Sequence, residues 1–480
     1  MLRTSLLFFL TVCCFTLRAQ LSSAEQEVLA AIDRQADNYF TVAKQIWDVA
    51  EVGYQEEESS RLLQELLRGE GFTVEAGVAD IPTAFTATFG TEGPVIGVLG
   101  EFDALPGITQ TASASREERT DVAAGHACGH HLFGTGSAAA AIAVKEWMEE
   151  NDVAGTVRFY GTPAEEGGAG KVYMVRAGLF DDVDAVIHWH PSDGNSADAA
   201  SSLSNKSAKF RFHGISAHAA AAPQNGRSAL DGVEAMNMMV NMLREHIDME
   251  SRIHYVITRG GEAPNVIPDF AEVFYYVRHP EMAMVDENFE RVVKCAEGAA
   301  MGTGTTVDYE VIHGAYNLLP NVTLSEVMYE NLEQVGGVEY DAEERAFAAS
   351  IAETFENPET NDPAAAAAQV EPFQVIRKGR GGSTDVGDVS WAVPTVGLRT
   401  ATWVPGTSAH SWQAIAAGGM SIGKKGMVVA AKTMALTAMD LFRNPALLER
   451  ARAELDEQRG EDFVYKALLG DREPPLDYRN

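Results

Sequence analysis

The pattern of apolar and polar positions divides the chain into alternating helices and strands. Helical apolar spacing covers residues 24–50 and 56–68, whereas residues 83–89 and 94–100 are short β-rich runs separated by a turn. The alternation continues with a helix at 133–148, strands at 156–161, 185–187 and 394–398, and a long amphipathic helix at 420–442. This order predicts an α/β fold with a mixed, mostly parallel sheet that carries helices on both faces.

A different pattern begins near Ser204. It runs as a strand at 208–212, a helix at 228–246, strands at 254–258 and 271–278, a helix at 285–300 and a strand at 305–312. This β-α-β-β-α-β order is typical of a separate α+β, ferredoxin-like domain with an antiparallel sheet. We therefore predict a catalytic domain in two parts, 21–204 and 317–445, which is interrupted by a second domain at 205–316.

Two further segments are predicted to be peripheral. Residues 339–369 are polar and Ala-rich, which favours a surface insertion. The C-terminal tail, 446–480, is charged and mostly peripheral in this interpretation, with a short helix at 446–458.

The first twenty residues have the pattern of a secretory signal. Arg3 precedes the apolar run 5–17, and Ala19 suits a cleavage site, so residues 1–20 predict a periplasmic or secreted protein. The run is shorter than the roughly 20 apolar residues of a membrane span, and no span is predicted. A lipoprotein signal is the alternative, because Cys13 and Cys14 lie in this segment. Only Cys128 and Cys295 would remain after cleavage, too few for a disulfide framework.

The net charge of the chain limits the classes of molecule that it is expected to bind. The chain has 69 acidic and 37 basic residues, a formal net charge of −32. Nucleic acids and anionic membrane surfaces both require basic footprints. A small-molecule substrate is the expected partner, and no nucleic-acid or membrane partner is predicted.

A cluster of metal-binding residue types occupies Gly125-His126-Ala127-Cys128-Gly129-His130-His131. Three imidazoles and one thiol are difficult to bury together, because each polar ring needs its own partner. Cys thiolate and neutral imidazole are ligands that zinc-like divalent ions prefer. The cluster therefore predicts a metal site, with Cys128 and His130 just before the helix that follows. The alternative is a polar turn that precedes a buried helix.

Paired acids give the second chemical signal. Glu165 and Glu166 lie in a Pro/Gly-rich loop, and adjacent carboxylates on a loop cannot share one direction. We assign Glu166 as a metal ligand and Glu165 as the general base. Divalent ions lower the pKa of water toward neutrality, and a nearby carboxylate can then take its proton and return it to a leaving amine. A solvated acidic loop is the alternative interpretation of the pair.

These residues belong to a set of short motifs that together resemble a known family. The motifs lie at 100–106, 126–131, 163–170, 189–190, 214–223, 265–268 and 410–411. The chain resembles the M20 metallopeptidase/amidohydrolase family over about residues 24–442, and is most similar to its branch of aminoacylases, auxin-conjugate hydrolases and p-aminobenzoyl-glutamate hydrolase. The resemblance implies a catalytic domain with two divalent metal ions and an inserted lid or dimerisation domain.

The resemblance also implies roles for individual residues. It implies five metal ligands, of which Cys128 bridges the two ions, the others being His130, Glu166, His190 and His410. Glu165 matches the general base, and Asp103 matches an acid that orients a ligand. Two positions depart from the branch: His131 stands where Asp is usual, and Trp412 where Pro is common. Zinc and manganese are both expected candidates for the ions, because a Cys ligand favours zinc and carboxylates suit manganese.

In the inserted domain, the resemblance implies that His218 reaches the active site of a partner subunit and stabilises the oxyanion. A homodimer is therefore expected, with a related second subunit as the alternative. Asn265 and Arg278 match residues that hold the substrate's carboxylate; a plain turn and an exposed strand end are their alternatives. Residues 382–385 form either a polar wall of the site or a plain turn. His126, His188 and His213 are interpreted as supporting or structural residues.

Together these expectations describe a dinuclear metal-dependent amidohydrolase that cleaves the amide of N-acyl amino acids. The favoured substrate is an aromatic acyl-glutamate such as p-aminobenzoyl-glutamate. Because an acidic protein repels an anionic substrate, Arg278 and the two ions must supply local positive charge. The alternatives are a dipeptidase or carboxypeptidase of the same superfamily, and a non-catalytic binding protein that retains the fold.

Overall fold

A computed structural model describes residues 21–358, 360–379, 381–460 and 462–479. The predicted signal segment, 1–20, lies outside the described residues. The helices are α1 (Ser23–Val49), α2 (Glu57–Gly69), α3 (His130–Glu150), α4 (Gly170–Arg176), α5 (Ala229–Leu243), α6 (Met282–Thr303), α7 (Val322–Val335), α8 (Ala342–Ala352), α9 (Pro363–Ala367), α10 (Val386–Ala392), α11 (Trp412–Gly418), α12 (Ser421–Arg443) and α13 (Pro445–Arg459). None of these helices has the length and apolarity that crossing a bilayer requires.

The strands are β1 (Thr73–Ala76), β2 (Phe85–Phe89), β3 (Val95–Glu101), β4 (Leu105–Pro106), β5 (Ala124–Gly125), β6 (Thr156–Thr162), β7 (Ala185–Ser192), β8 (Ala199–Ala200), β9 (Ser204–His213), β10 (Arg252–Arg259), β11 (Phe270–His279), β12 (Thr306–Ala315), β13 (Val375–Ile376) and β14 (Thr395–Ala401). Six of them form the central sheet, in the order β1-β2-β6-β3-β7-β14. Strands β6, β3, β7 and β14 run parallel, whereas β1 and β2 pair antiparallel at one edge. The predicted mixed, mostly parallel sheet is confirmed.

A second sheet is built from the middle of the chain. Its order is β10-β11-β9-β12, and all three pairings are antiparallel. Helices α5 and α6 pack on it around a core of their own, which includes Phe210, Phe212 and Phe289. The β-α-β-β-α-β order is therefore present between Ser204 and Ala315. The domain boundaries, and the function of this unit as a lid, stay predictions.

Small residues allow α3 to lie close to the central sheet. A side chain at Gly134 would place its Cβ 2.7 Å from the carbonyl oxygen of Glu101, at the end of β3. At Gly136 it would lie 3.0 Å from the Trp189 ring of β7. Close packing therefore fixes the start of α3, which directly follows Cys128 and includes His130 and His131, against two strands of the central sheet.

We expect Gly134→Ala to destabilise the protein by about 1–3 kcal/mol, the usual cost of overpacking a core. The new methyl group would contact a backbone carbonyl, which cannot move aside. The cost of this clash exceeds the stability that alanine gains over glycine in helix propensity. Urea unfolding followed by circular dichroism measures the change. Gly69→Ala is the matched control, because a Cβ there meets nothing within 4 Å. Equal stability of the two variants would contradict the close-packing argument.

Two segments that we predicted to be peripheral are part of the core. Within 339–369, helix α8 buries Phe347, Ala348 and Ile351 against the main core, so the surface-insertion prediction is wrong. Sparse apolar residues in a polar segment can still form one buried face of a helix. In the C-terminal tail, the helix predicted at 446–458 is confirmed as α13, but the peripheral position is wrong: α13 buries Leu447 and Leu455, and Leu469 packs in a second buried cluster.

Candidate active site

The candidate site lies where the parallel strands of the central sheet end. Asp103 follows β3, Glu165 and Glu166 follow β6, His190 lies near the end of β7, and His410 follows β14. Cys128, two residues before α3, and His130, the first residue of α3, lie at the same edge. Ligand sites in open α/β sheets occupy this carboxyl edge. Residues that are far apart in the chain are brought to one edge because the strands that precede them run parallel.

The turn before α3 requires a glycine. Gly129 has φ 78°, in the left-handed region that glycine adopts without strain, and a Cβ there would lie 2.6 Å from the Cβ of Pro191. The helix then begins at His130, so His130 and His131 are helical and only Cys128 precedes the helix. The expectation that both Cys128 and His130 lie before the helix is wrong for His130. Because Gly129 adopts this conformation, the helix can start directly after it. The side chain of His130 therefore belongs to the first helical turn, and that of Cys128 lies just before it.

Two groups of potential ligand atoms share one sulfur. The ligand atoms of Cys128, His130 and His190 all lie within 4.8 Å of one another, and so do those of Cys128, Glu166 and His410. All five side chains that the resemblance implied as ligands are therefore brought together, with Cys128 common to both groups. Their roles as metal ligands stay predictions.

The unsatisfied atoms of the site fit divalent cations. His130 Nε2 and Glu166 Oε1 are buried and form no hydrogen bond among the described residues, although Glu101 Oε2 lies 3.1 Å from the first atom and His410 Nε2 lies 3.4 Å from the second. A bound cation would satisfy both atoms. His190 Nδ1 lies 2.7 Å from the carbonyl oxygen of Pro191, and its Nε2 lies 3.5 Å from Cys128 Sγ. Burial lowers the pKa of His190, with further lowering from His130, so its imidazole is neutral. Sulfur, neutral imidazole and carboxylate form a suitable donor set for zinc or manganese.

Asp103 connects two of the candidate ligands. Its Oδ1 lies 2.9 Å from His130 Nδ1, and its Oδ2 accepts the backbone N–H of Glu166 at 2.9 Å. Burial raises the pKa of Asp103, but the charge and hydrogen bond of a protonated His130, the N–H of Glu166 and the charge of Lys171 together hold the pKa below its ordinary value. Carboxylates in this position orient metal-binding imidazoles and increase their basicity.

We expect Asp103→Asn to weaken metal binding by about 10–100-fold, the usual effect of losing such an orienting carboxylate. The amide has one acceptor oxygen, so it cannot serve both the His130 ring and the Glu166 N–H. Competition titration with a chromogenic chelator measures the affinity. As a control, Asp193→Asn changes a carboxylate outside the two ligand groups. Unchanged affinity in the Asp103 variant would contradict the orienting role.

Glu165 lies beside a buried network of charged side chains. Its carboxylate is within 4.8 Å of ligand atoms of Glu101 and His130. Burial raises the pKa of Glu165 well above its ordinary value, and the nearby Glu101, Glu166 and Asp385 raise it further. A raised carboxyl pKa favours proton transfer near neutral pH.

The buried cation in this network of charged side chains is Lys171. Its Nζ lies 2.7 Å from Glu101 Oε1 and 2.6 Å from Asp385 Oδ1, and all three side chains are buried. We did not predict this network. The position of Glu101 at the same strand end as Asp103 was an available signal, whereas Lys171 gave none, because its direction depends on how α4 packs. Asp385 belongs to the segment for which a polar wall or a plain turn was expected, and it lines the site cavity.

A cavity of about 570 Å³ opens beside these residues, lined by Glu165, Glu166, His410, Arg278 and Asp385 among others. Arg278 Nε is buried and has no hydrogen-bond partner. His218 and Asn265 do not line this cavity, and both are exposed. They lie in two neighbouring loops, which are joined by a hydrogen bond from the N–H of Ala219 to the carbonyl of Asn265 at 3.0 Å. Within one chain, Arg278 therefore lines the cavity and Asn265 does not; the role of Asn265 in binding the substrate's carboxylate stays a prediction. The role of His218 toward a partner subunit stays a prediction.

Two histidines of the cluster have structural contacts. His126 Nε2 lies 3.1 Å from the carbonyl oxygen of Ile46, and His131 Nε2 lies 3.0 Å from that of Gly418. His131, which replaces the usual Asp, thus ties α3 to the end of α11 and lies outside the two ligand groups. The supporting role that we predicted for His126 agrees with its contact.

Known proteins are similar to this chain in sequence. The sequence pattern of Peptidase family M20/M25/M40 matches residues 97–435. The chain is 43% identical over 447 residues to one of the subunits of the p-aminobenzoyl-glutamate hydrolase of Escherichia coli (strain K12), covering 88% of this chain and 93% of that protein. It is 30% identical over 451 residues to Xaa-Arg dipeptidase of Mus musculus, covering 91% and 93%.

Two solved structures share the fold. One is a dinuclear metal binding peptidase of the M20 family from Bacillus subtilis, with TM-score 0.58, 18% identity and coverage of 86% of this chain and 99% of that one. The other is an aminobenzoyl-glutamate utilization protein from Klebsiella pneumoniae, with TM-score 0.58, 17% identity and coverage of 88% and 98%. The fold and the site define a hydrolase that acts on amide bonds. The chain belongs to peptidase family M20/M25/M40, which confirms the resemblance found in its motifs.

Proposed function

We propose that this protein is a dinuclear metal-dependent amidohydrolase that cleaves N-acyl amino acids, with an aromatic acyl-glutamate such as p-aminobenzoyl-glutamate as its favoured substrate. The observation that carries the proposal is the pair of three-residue ligand groups that share Cys128 and lie next to Glu165. A ligand shared between two groups would allow one residue to contact two ions held close together, as they are in two-metal sites. The name of the relative from Escherichia coli supports the choice of substrate.

Each residue of the site would have a separate role in catalysis. Cys128, His130 and His190 would hold one ion, and Cys128, Glu166 and His410 the other. Bound divalent ions supply Lewis-acid polarisation and lower the pKa of water. Glu165 takes the proton of the attacking water and delivers it to the nitrogen of the leaving amino acid, while the amide C–N bond breaks and a C–O bond forms.

Arg278 provides the binding of the substrate's carboxylate. It lines the cavity, its Nε is unpartnered, and a guanidinium binds a carboxylate through two parallel hydrogen bonds. Asp103 keeps His130 in its orientation throughout. His218 of a partner subunit would complete the site by stabilising the oxyanion.

The test is a substrate panel with metal-reconstituted protein. Apoprotein is loaded with zinc or manganese and assayed on p-aminobenzoyl-glutamate, on N-acetyl amino acids and on dipeptides. Hydrolysis of p-aminobenzoyl-glutamate with the highest kcat/KM supports the proposal. Activity confined to dipeptides would favour the second candidate, a dipeptidase, for which the similarity to Xaa-Arg dipeptidase is the supporting observation. Absence of bound ions and of turnover would refute both.

We also propose that the protein is a homodimer. Strand β10 is an edge of the second sheet and exposes Tyr255, Val256 and Ile257, and α5 of the same domain exposes Met238 and Met242. An apolar, unpaired edge strand invites pairing with another chain. Light scattering should give a dimer mass that Val256→Lys reduces to the monomer mass. A monomer in the wild type would instead favour a related second subunit as the partner.

The predicted signal segment supports a periplasmic or secreted location, which we also propose. Cell fractionation, with Edman sequencing of the mature protein, tests it. An uncleaved chain in the cytoplasmic fraction would contradict the proposal.

A further inference from the structure

The C-terminal segment forms one wall of the candidate active site. Arg472, Pro475, Tyr478 and Arg479 all line the same cavity as Glu165 and His410. The Tyr478 hydroxyl donates to the carbonyl oxygen of Glu166 at 3.3 Å, and the Arg479 guanidinium donates to the same oxygen. A segment 313 residues from the ligand loop in sequence is thus bonded to that loop.

Packing holds this segment in place. The rings of Tyr478 and Tyr54 meet edge to face, with centroids 5.6 Å apart. A side chain at Gly53 would place its Cβ 2.4 Å from the Tyr478 hydroxyl oxygen, so the segment approaches the backbone at Gly53 closely. The Arg479 guanidinium also lies against the Tyr478 ring, 4.7 Å from its centroid. Arg479 is therefore positioned by a packed aromatic contact and by its bond to the loop.

The two arginines of this segment, Arg472 and Arg479, differ in whether a carboxylate pairs with them. Arg472 forms an ion pair with Glu310 at 2.8 Å, a carboxylate that it shares with Arg211, and donates to the carbonyl of Ile312. Arg479 forms no ion pair with any residue that the structure describes, and its Nε is buried without a hydrogen-bond partner. Arg278, on another wall of the cavity, has the same two properties among the described residues.

Two guanidinium groups with unused donors thus line one cavity in a protein of net charge −32. An unpaired, partly buried cation is costly unless an anion joins it. Two such cations on separate walls suit a ligand with two carboxylates.

We propose that Arg479 is a specificity-determining residue, which binds the side-chain carboxylate of an acidic amino acid while Arg278 binds its α-carboxylate. This inference rests on the proposed amidohydrolase function and names its substrate class: N-acyl derivatives of dicarboxylic amino acids. Arg479 keeps one N–H on the carbonyl of Glu166, and its guanidinium, which lines the cavity and forms no ion pair among the described residues, retains other N–H groups for the ligand. The fork of the guanidinium permits both contacts at once.

The experiment compares two substrates of equal length, p-aminobenzoyl-glutamate and p-aminobenzoyl-glutamine, on the metal-loaded full chain. The ratio of their kcat/KM values is measured for the wild type, Arg479→Gln and Arg479→Lys. Glutamine keeps an N–H donor for the Glu166 carbonyl but removes the charge, whereas lysine keeps the charge. We expect the wild type to prefer the glutamate substrate, and Arg479→Gln to reduce that preference by about 10–100-fold, the range for a hydrogen bond to a charged group. Arg479→Lys should retain part of it.

Arg450→Met is the matched control, because Arg450 is exposed on α13; its ratio should equal that of the wild type. Circular dichroism and metal content verify that each variant is folded and loaded. Equal loss on both substrates in Arg479→Gln would overturn the inference, since Arg479 would then act only through the Glu166 loop. Absence of a preference in an active wild type would overturn it as well. If the metal-loaded wild type hydrolyses neither substrate, the proposed function itself fails, and that outcome differs from the other two.

Discussion

Replacement of Glu165 by glutamine should lower kcat by about 10²–10⁴-fold, the usual contribution of a positioned general base. The amide keeps the size and polarity of the side chain but cannot accept the proton of the attacking water. Binding of both ions should be nearly unchanged, because Glu165 belongs to neither of the two groups that share Cys128. Steady-state kinetics on p-aminobenzoyl-glutamate and elemental analysis of the same sample measure the two quantities.

The neighbouring residue is the matched control for this prediction. Glu166→Gln makes the same chemical change one residue later, in a side chain that lies 3.4 Å from His410 Nε2. It should lose metal as well as turnover, since a neutral amide is a weaker ligand than a carboxylate. Retained activity in the Glu165 variant, or equal loss of metal in both variants, would show that the roles of base and ligand are assigned wrongly.

Replacement of Cys128 by alanine should remove both ions, because its sulfur is common to the two ligand groups. Activity should fall at least about 10³-fold, since Lewis-acid polarisation supplies several kcal/mol of transition-state stabilisation and each 1.4 kcal/mol is a factor of ten. By contrast, His410→Ala removes a ligand from one group only and should leave about one ion bound. Metal content after gel filtration and activity at saturating substrate measure these effects.

Cys295 is the natural control for the thiol itself. It is the other cysteine among the described residues and is half-buried on α6, outside the ligand groups. Cys295→Ala should leave metal content and activity unchanged. If Cys128→Ala loses one ion and His410→Ala loses the same one, the sulfur is not shared and the site is not built as proposed.

Local pattern in the sequence was sufficient for the elements and for the residue types of the site. Apolar spacing placed α1 and α12 to within one or two residues, because the side that a helix buries repeats along the chain itself. The cluster around Cys128 and the acids at Glu165 and Glu166 were visible because metal chemistry restricts which side chains can act. Strand order then implied a common edge for them.

Only the tertiary structure decided which distant residues meet. Lys171 joins Glu101 and Asp385 through the packing of α4, and Arg479 reaches the carbonyl of Glu166, 313 residues away in sequence. Neither contact follows a short-range period, and a charged residue in a polar tail has the same local pattern whether it is solvated or bonded. Hydrophobic periodicity identifies which face of a helix or strand is buried. Long-range packing determines which residues that face contacts, and which partners the charged side chains near the ends of the element meet.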